Sequence, residues 1–379
     1  MSGMNESLVE LVRISRAVGR DSSLILGGFG NTSAKTADGR YMYIKASGTA
    51  LKDMTRKKGW RRLKLQPVRT ILKNRAISGM DACEREARIA KKLFAACEDG
   101  VERGNKPSVE SGFHSILDRF VIHLHPVAVL AYLCAKNGRA ELKKLFKNEE
   151  FPPVWVSYTT PGYLLAKKIE KTIERYRSRY GRDPAVIFLQ NHGLTVTAEN
   201  ANTALRLVRK TVRKCRNRLK KPKEGKARPV SRQQIIEAGS VIRNGIFQMT
   251  GRKITVRYYI NDTIAEFMAR KDAARLCSQP VVTGDELICV GGPPIWLDKW
   301  DKQTILDKSK HRIGDKIKQP VCFLIRSLGL FVAGDKGRQE LMKDIITANL
   351  AVRSYASGFG GAHCLNKRHL KFLANIEVR

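Results

Sequence analysis

No two cysteines in this chain are spaced Cys-x-x-Cys. The eight (Cys83, Cys97, Cys134, Cys215, Cys277, Cys289, Cys322 and Cys364) are scattered along 379 residues. That scatter excludes a cysteine zinc ribbon and a disulfide scaffold, and predicts reduced, mostly buried thiols. No apolar run approaches the roughly 20 residues that span a bilayer, so a membrane partner is not expected. The start, "MSGMNESLVELVRISRAVGRD", lacks the basic and apolar regions of a signal peptide, so the expected compartment is the cytoplasm. Nucleotide fingerprints are missing too. "GGFGNTS" (27–33) fits neither GxxxxGK[ST] nor GxGxxG. It reads as a tight turn or as a nest of backbone N–H groups for an anion. Acidic residues are few, at 35 against 71 Lys and Arg, for a net charge of +36. Such a field attracts polyanions and phosphorylated metabolites. The densest basic stretches, "RKKGWRRLK" (56–64) and "RKTVRKCRNRLKKPKEGKAR" (209–228), carry only Trp60 as an interleaved aromatic. A solvated basic surface and nonspecific polyanion binding are the two readings.

What is present is an ordinary globular pattern. Leu8, Leu11, Val12 and Ile14 recur at helical spacing in the first segment. Residues 23–54 read as a strand, a glycine turn, a short strand, a hairpin over Asp38-Gly39 and another strand. Helix is expected at 82–99, a strand at "RFVIHLH", and a helix opened by Pro126 and stopped by Gly138. Further helix is expected at 161–180, then a strand at 185–190, the turn "NHG", the strand "LTVTA" and a helix from about 201. Strands and helices alternate but several strand neighbours are hairpins, which predicts a layered α/β (α+β) fold. The polar segment "LKKPKEGKARPVSR" (219–232), with two prolines and a glycine, divides the chain into 1–221 and 230–379. Residues 185–210 are echoed by 320–345: each reads as strand, turn ending Gly-Leu, strand, helix. Leu328 stands in the second copy where the first has His192.

Histidine is scarce, at seven residues, and its placement therefore informs. His123 and His125 lie two apart in "RFVIHLHP". On a strand, such residues project from one face about 7 Å apart, while Val121, Ile122 and Leu124 meet the core or another layer. Two imidazoles so placed are either half-buried core residues or two arms of a zinc site. His192, in "LQNHGLT", is the best third arm, because a strand-to-strand turn sets a side chain at the edge of a sheet. Three histidines with an open position describe a catalytic metal, and Glu110 in "KPSVESGFH" is a candidate general base.

Six short elements in order complete the pattern: Gly30-Asn31-Thr32-Ser33, Lys45-Ala46-Ser47-Gly48, Pro107-Ser108-Val109-Glu110, His123-Leu124-His125-Pro126, "YTTPG" (158–162) and Asn191-His192-Gly193. Together they resemble the class II aldolase/adducin family over about residues 5–215. The resemblance is closer to a longer branch, the rhamnulose-1-phosphate aldolase-like region of bifunctional aldolase/alcohol dehydrogenase proteins. "YIKASGTALKDM", "TGDELICVGGPPIW" and "FGGAHCL" have that branch's form. In those proteins a dehydrogenase domain follows. Here Arg379 falls near where it would begin, and the expectation is an aldolase-like protein without the oxidoreductase half.

The resemblance implies an α/β/α domain with a central, mostly antiparallel sheet in 1–221, and a smaller, degenerate α/β domain in 230–379. It implies a divalent metal, usually Zn2+, on His123, His125 and His192, with Glu110 as acid/base. It implies contacts to the substrate phosphate from Asn31, Ser47, Gly48 and Ser108. The expected reaction is cleavage of a ketose or ketose 1-phosphate to dihydroxyacetone (phosphate) and an aldehyde, in a homo-oligomer such as a tetramer. The alternatives are a sugar-phosphate epimerase or decarboxylase of the same family, and a non-enzymatic adducin-like interaction module. Related 4-epimerases usually carry aspartate at the position of Glu110, which favours aldol cleavage here. Fuculose-type enzymes have two serines before that glutamate, whereas this chain has Ser108-Val109, one phosphate donor fewer.

Overall fold

The computed structural model describes residues 2–99, 105–220, 229–313, 321–334 and 337–375. The chain forms two units, Met1–Leu133 with Gly138–Leu219 and Cys134–Asn137 with Lys220–Arg379.

Among the described residues, seven strands build the first unit: β1 (Asn31–Lys35), β2 (Tyr41–Lys45), β3 (Trp60–Lys64), β4 (Phe120–Leu124), β5 (Val154–Val156), β6 (Val186–Leu189) and β7 (Gly193–Ala198). Their order is β3-β2-β1-β4-β7-β6-β5. Every neighbouring pair is antiparallel except β5 and β6, so the sheet is mixed but mostly antiparallel. β4 lies in the middle and all five of its residues are buried. Its alternation divides two helical layers. Val121 packs in a core with Phe113, Val68, Ile89, Ile169 and Ile173, from helices on one face. On the other side Thr32, opposite Ile122, touches Ser15 of the helix Ser2–Gly19 at 2.6 Å. The helix Ala201–Asn217 packs against β4 and β7. The result is a layered α/β/α unit.

Three local expectations need correction. Residues 23–27 form no strand. Leu24 and Ile25 donate their N–H groups to Asp21 O and Phe29 donates to Leu26 O, so local turns use the groups a ladder would need, while Leu24 and Leu26 fill the core as a coil. The helix expected to 99 stops at Ala95, because the chain turns to bridge Cys97 to Leu63 beside β3. Gly138 does not stop a helix. The helix ends at Leu133 and Gly138 begins the next one, Gly138–Leu145. A Cβ at Gly138 would lie 1.7 Å from Tyr132 O, so this start requires glycine.

The second unit has β8 (Thr255–Tyr259), β9 (Ile295–Leu297), β10 (Val321–Ile325) and β11 (Gly329–Gly334), in the order β8-β11-β10-β9. The helix Arg232–Thr250 opens with a Ser231/Gln234 capping box and buries Ala238, Ile242 and Ile246 against Phe323, Ile325 and Phe331. Among buried polar groups, Arg353 donates to both carboxylate oxygens of Glu286 at 2.7 and 3.1 Å.

The echo between 185–210 and 320–345 extends to pairing register. β5 is parallel to β6 and β6 antiparallel to β7; β9 is parallel to β10 and β10 antiparallel to β11. Leu189 pairs with Gly193 as Ile325 pairs with Gly329. A long helix follows each hairpin, Ala201–Asn217 and Gln339–Ala356. β8 then corresponds to β4: His123 pairs with Thr195, and Tyr258 with Phe331. By that register Tyr258 stands for His123, Ile260 for His125 and Leu328 for His192. The Tyr258 hydroxyl donates to Leu328 O at 2.9 Å.

Candidate metal centre

The central position of β4 fixes the first histidine. Val121 and His123 share a face, and His123 is fully buried. Its Nδ1 lies 3.1 Å from Leu194 O and 3.0 Å from Thr195 Oγ1, both on β7. A carbonyl oxygen only accepts, so Nδ1 carries the proton and Nε2 is left with its lone pair. His125 follows the strand, and its Nε2 is 3.0 Å from Nε2 of His123. His192 closes the set from the β6–β7 turn. There Asn191 has φ 54°, the left-handed conformation that asparagine tolerates better than most residues. The Gly193 that follows is required by packing: a Cβ would meet His125 Cδ2 at 2.5 Å, Leu124 O at 2.6 Å and His123 Cε1 at 3.0 Å. Gly30 does the same on the other flank, where a Cβ would meet His123 O at 2.6 Å and φ is +90°.

The ligand nitrogens of His123, His125 and His192 all lie within 4.8 Å of one another. Ring centroids are 4.9, 4.8 and 5.1 Å apart and the planes cross at 74, 76 and 70°, so the rings converge edge to face. Burial pushes the pKa of His123 well below the usual imidazole value, with His192 and His125 adding to it and Glu110 opposing. A neutral imidazole with a free Nε2 is the form that binds a metal. The donor set therefore fits a divalent cation such as zinc.

Glu110 sits at the start of the short helix Ser111–Ile116 and faces the histidines, Oε1 at 3.2 Å from His192 Nε2 and Oε2 at 3.5 Å from His123 Nε2. Asn31, directly opposite His123 across β1 and β4, donates to Glu110 Oε2 at 2.6 Å and to Ser108 Oγ at 3.3 Å. Glu110 N donates to the same Ser108 hydroxyl at 3.2 Å. Burial raises the carboxyl's pKa, but His123, His192 and the Asn31 bond outweigh it and hold the group well below the carboxylate range.

The expected residues thus fall into two groups. His123, His125, His192, Glu110, Asn31 and Ser108 form one connected cluster. Ser47 and Gly48 stand on an adjacent loop, with Ser47 bonded to Lys106 O and Pro107 O. A Cβ on Gly48 would meet nothing within 4 Å, and φ there is +78°.

Several residues escaped the reading of the sequence. His114, four residues after Glu110, is fully buried; its Nδ1 is 2.7 Å from Ser33 Oγ, while its Nε2 has no partner among the described residues. Burial pushes its pKa down to about 3. Lys35 donates to the carbonyls of His114, Leu117 and Asp118 at 2.8, 2.7 and 2.6 Å, and so caps the helix that carries Glu110. Lys45 donates to Thr49 O, and burial lowers its pKa to about 8 against the pull of Glu110. Phe29 stacks on His125 at 6.3 Å. The available signal was a lysine closing each of two short strands, "NTSAK" and "YMYIK".

At the end of β4, three imidazoles converge on a held carboxylate, a group that could hold a metal ion. Residues 9–219 match the Class II Aldolase and Adducin N-terminal domain, and the chain belongs to the class II aldolase/adducin family. It is similar to "Uncharacterized oxidoreductase YuxG" of Bacillus subtilis (strain 168), with 25% identity over 331 residues, 82% of this chain. The match covers 45% of that protein, so the chain spans less than half of the relative's length. Among solved structures it is similar to the N-terminal class II aldolase domain of a conserved protein from Thermoplasma acidophilum (25% identity, 55% of this chain and 91% of that one, TM-score 0.45). It is also similar to L-fuculose 1-phosphate aldolase from Glaciozyma antarctica PI12 (12% identity, 66% and 83%, TM-score 0.37). Among the described residues, no helix is long and apolar enough to cross a membrane.

Proposed function

We propose that the chain is a metal-dependent aldolase, with zinc as the first cation to test. Its substrate is a ketose or ketose 1-phosphate, cleaved to dihydroxyacetone, or its phosphate, and an aldehyde. The observation that carries this reading is the convergence of His123, His125 and His192 on Glu110, which Asn31 holds in place. When bound, a divalent cation supplies Lewis-acid polarisation of a substrate carbonyl and stabilises developing negative charge.

The chain's own groups do the rest. The Leu194 carbonyl fixes the tautomer of His123, so its Nε2 stays free for the cation. Glu110, held ionised, takes the proton of the C4 hydroxyl as the C3–C4 bond breaks and delivers it to C3 of the dihydroxyacetone fragment; the aldol direction reverses both transfers. Asn31 and Ser108 orient Glu110, and with Ser47 and Gly48 they hold the polar end of the substrate. Val109 is 54% exposed next to this cluster and offers no hydrogen bond, so phosphate contributes less to binding here than where a second serine stands. Residues 1–221 are the catalytic domain in this reading and 230–379 a non-catalytic one, in a cytoplasmic homo-oligomer.

The test is an aldol-cleavage screen of free and 1-phosphorylated ketoses with zinc, cobalt or manganese added. Cleavage should require the metal, and His123→Ala should abolish metal uptake. Wild-type protein unable to take up any of the three ions would overturn the proposal. Formation of a configuration-inverted ketose with no aldehyde released would assign the site to epimerisation instead.

A further inference from the structure

The basic charge is not evenly placed on the surface. The helix Ala201–Asn217 buries Ala204, Leu205, Val208, Val212 and Cys215 on one side. On the other, Arg206, Arg209, Arg213 and Arg216 are exposed. At 100° per residue these four fall within about 80° of arc, and at 1.5 Å per residue they span about 15 Å. Acidic side chains three or four residues away would pair with charges of this kind. Here the flank bearing Lys210 and Lys214 is balanced, both lysines pairing with Glu149. The four arginines have no acidic partner among the described residues.

A second stripe adjoins the first. Arg13, Arg16 and Arg20, at i, i+3 and i+7, are exposed on or just after the helix Ser2–Gly19. Arg13 pairs with Glu10, and its Nη2 also donates to Asn202 Oδ1 at 2.8 Å. Asn202 lies on the same side of its helix as the four arginines, so this bond joins the second stripe to the first at that point. Arg16 and Arg20 have no acidic partner among the described residues.

We propose that Arg16, Arg20, Arg206, Arg209, Arg213 and Arg216 form a docking face for the phosphodiester backbone of nucleic acid. The face matches that partner in three ways. It is long and narrow, and 15 Å of duplex presents about nine charges at one per 1.7 Å. Its cations are all arginine, whose fork grips phosphate oxygens bidentately. Its neutral members, Asn202 and Asn217, are polar groups of the kind that bond sugar and phosphate. A lipid surface would favour exposed apolar side chains among the cations. Among the described residues, the exposed large apolar side chains, Val109, Phe151, Leu164, Ile236, Phe247 and Ile260, all lie outside both helices. In this proposal these groups meet phosphate and sugar, so binding is expected to be independent of sequence.

The experiment is fluorescence anisotropy of the full chain with a random-sequence 20-bp duplex between 50 and 300 mM salt. Six phosphate contacts give a slope of log K against log salt of about −5, at about −0.9 per contact. R209Q/R213Q/R216Q should make the slope shallower by about 2.7 and weaken binding at 100 mM salt by about tenfold or more. R56Q/K57Q/K58Q, which removes three exposed charges elsewhere, is the control and should change binding by about twofold at most. Equal weakening by the two triple variants would mean net charge alone is read, and would overturn the proposal. So would wild-type binding already lost at 150 mM salt, or binding of phosphatidylserine vesicles but not of the duplex. All six side chains are exposed, so circular dichroism should confirm that the variants fold.

Discussion

Gly193→Ala tests the metal centre by geometry alone. Gly193 is not in the left-handed region, so alanine adds no backbone strain. What it adds is one methyl group, placed 2.5 Å from His125 Cδ2, 2.6 Å from Leu124 O and 3.0 Å from His123 Cε1. Two of these neighbours are proposed ligands and the third is the backbone between them. None is the free end of a flexible chain, so either an imidazole turns away or β4 shifts. Overpacking of this kind costs about 1–3 kcal/mol. If the strain falls on the metal-bound state, affinity drops about 5- to 140-fold, at 1.4 kcal/mol per decade. The assay is competition for zinc against a calibrated chelator, with elemental analysis of the purified protein. Gly28→Ala is the matched control: its Cβ would meet nothing within 4 Å, and stability and affinity should stay within about 0.5 kcal/mol. A G193A protein that binds zinc as tightly as wild type would refute the convergence of the three rings.

Three further outcomes are expected. Glu110→Gln should lower aldol turnover about 10²- to 10⁴-fold while zinc content stays near wild type, a split that elemental analysis and a coupled aldehyde assay resolve. Arg353→Met strands the buried Glu286 carboxylate and should cost about 3–5 kcal/mol in urea unfolding, whereas an unchanged midpoint would show that the pair is not buried as described. Burial, with Arg69 adding, pushes the pKa of Lys35 down to about 7, against about 10.4 unfolded. Between these values the unfolded chain keeps a proton that the folded one releases, so stability rises with pH across about 7 to 10. The difference between wild type and Lys35→Met should climb by at most about 1.4 kcal/mol per pH unit there, and a flat difference would contradict the assignment.

Much of this arrangement was legible before any coordinates. The i, i+2 spacing of His123 and His125 on an apolar strand requires a common face, and "NHG" marks a strand-to-strand turn. What sequence periodicity could not supply is contact between segments far apart in the chain. The Asn31–Glu110 bond joins residues 79 apart, and Lys35 reaches carbonyls up to 83 residues away. The misplaced strand at 23–27 has a similar origin: apolar residues fill a core as well from a coil as from a ladder, once Asp21 takes the backbone donors. Gly138 misled because glycine punctuates both ends of helices, and only the nearby Tyr132 carbonyl decides which.

The hairpin β10–β11 has one more consequence. Tyr258, Ile260 and Leu328 occupy the register positions of the three histidines, and the sheet there is closed by a phenol–carbonyl bond and an aliphatic side chain. The register around this corner is therefore built with no imidazole at any of the three positions. One strand register thus carries two different side-chain sets, and the imidazole set belongs to the first unit.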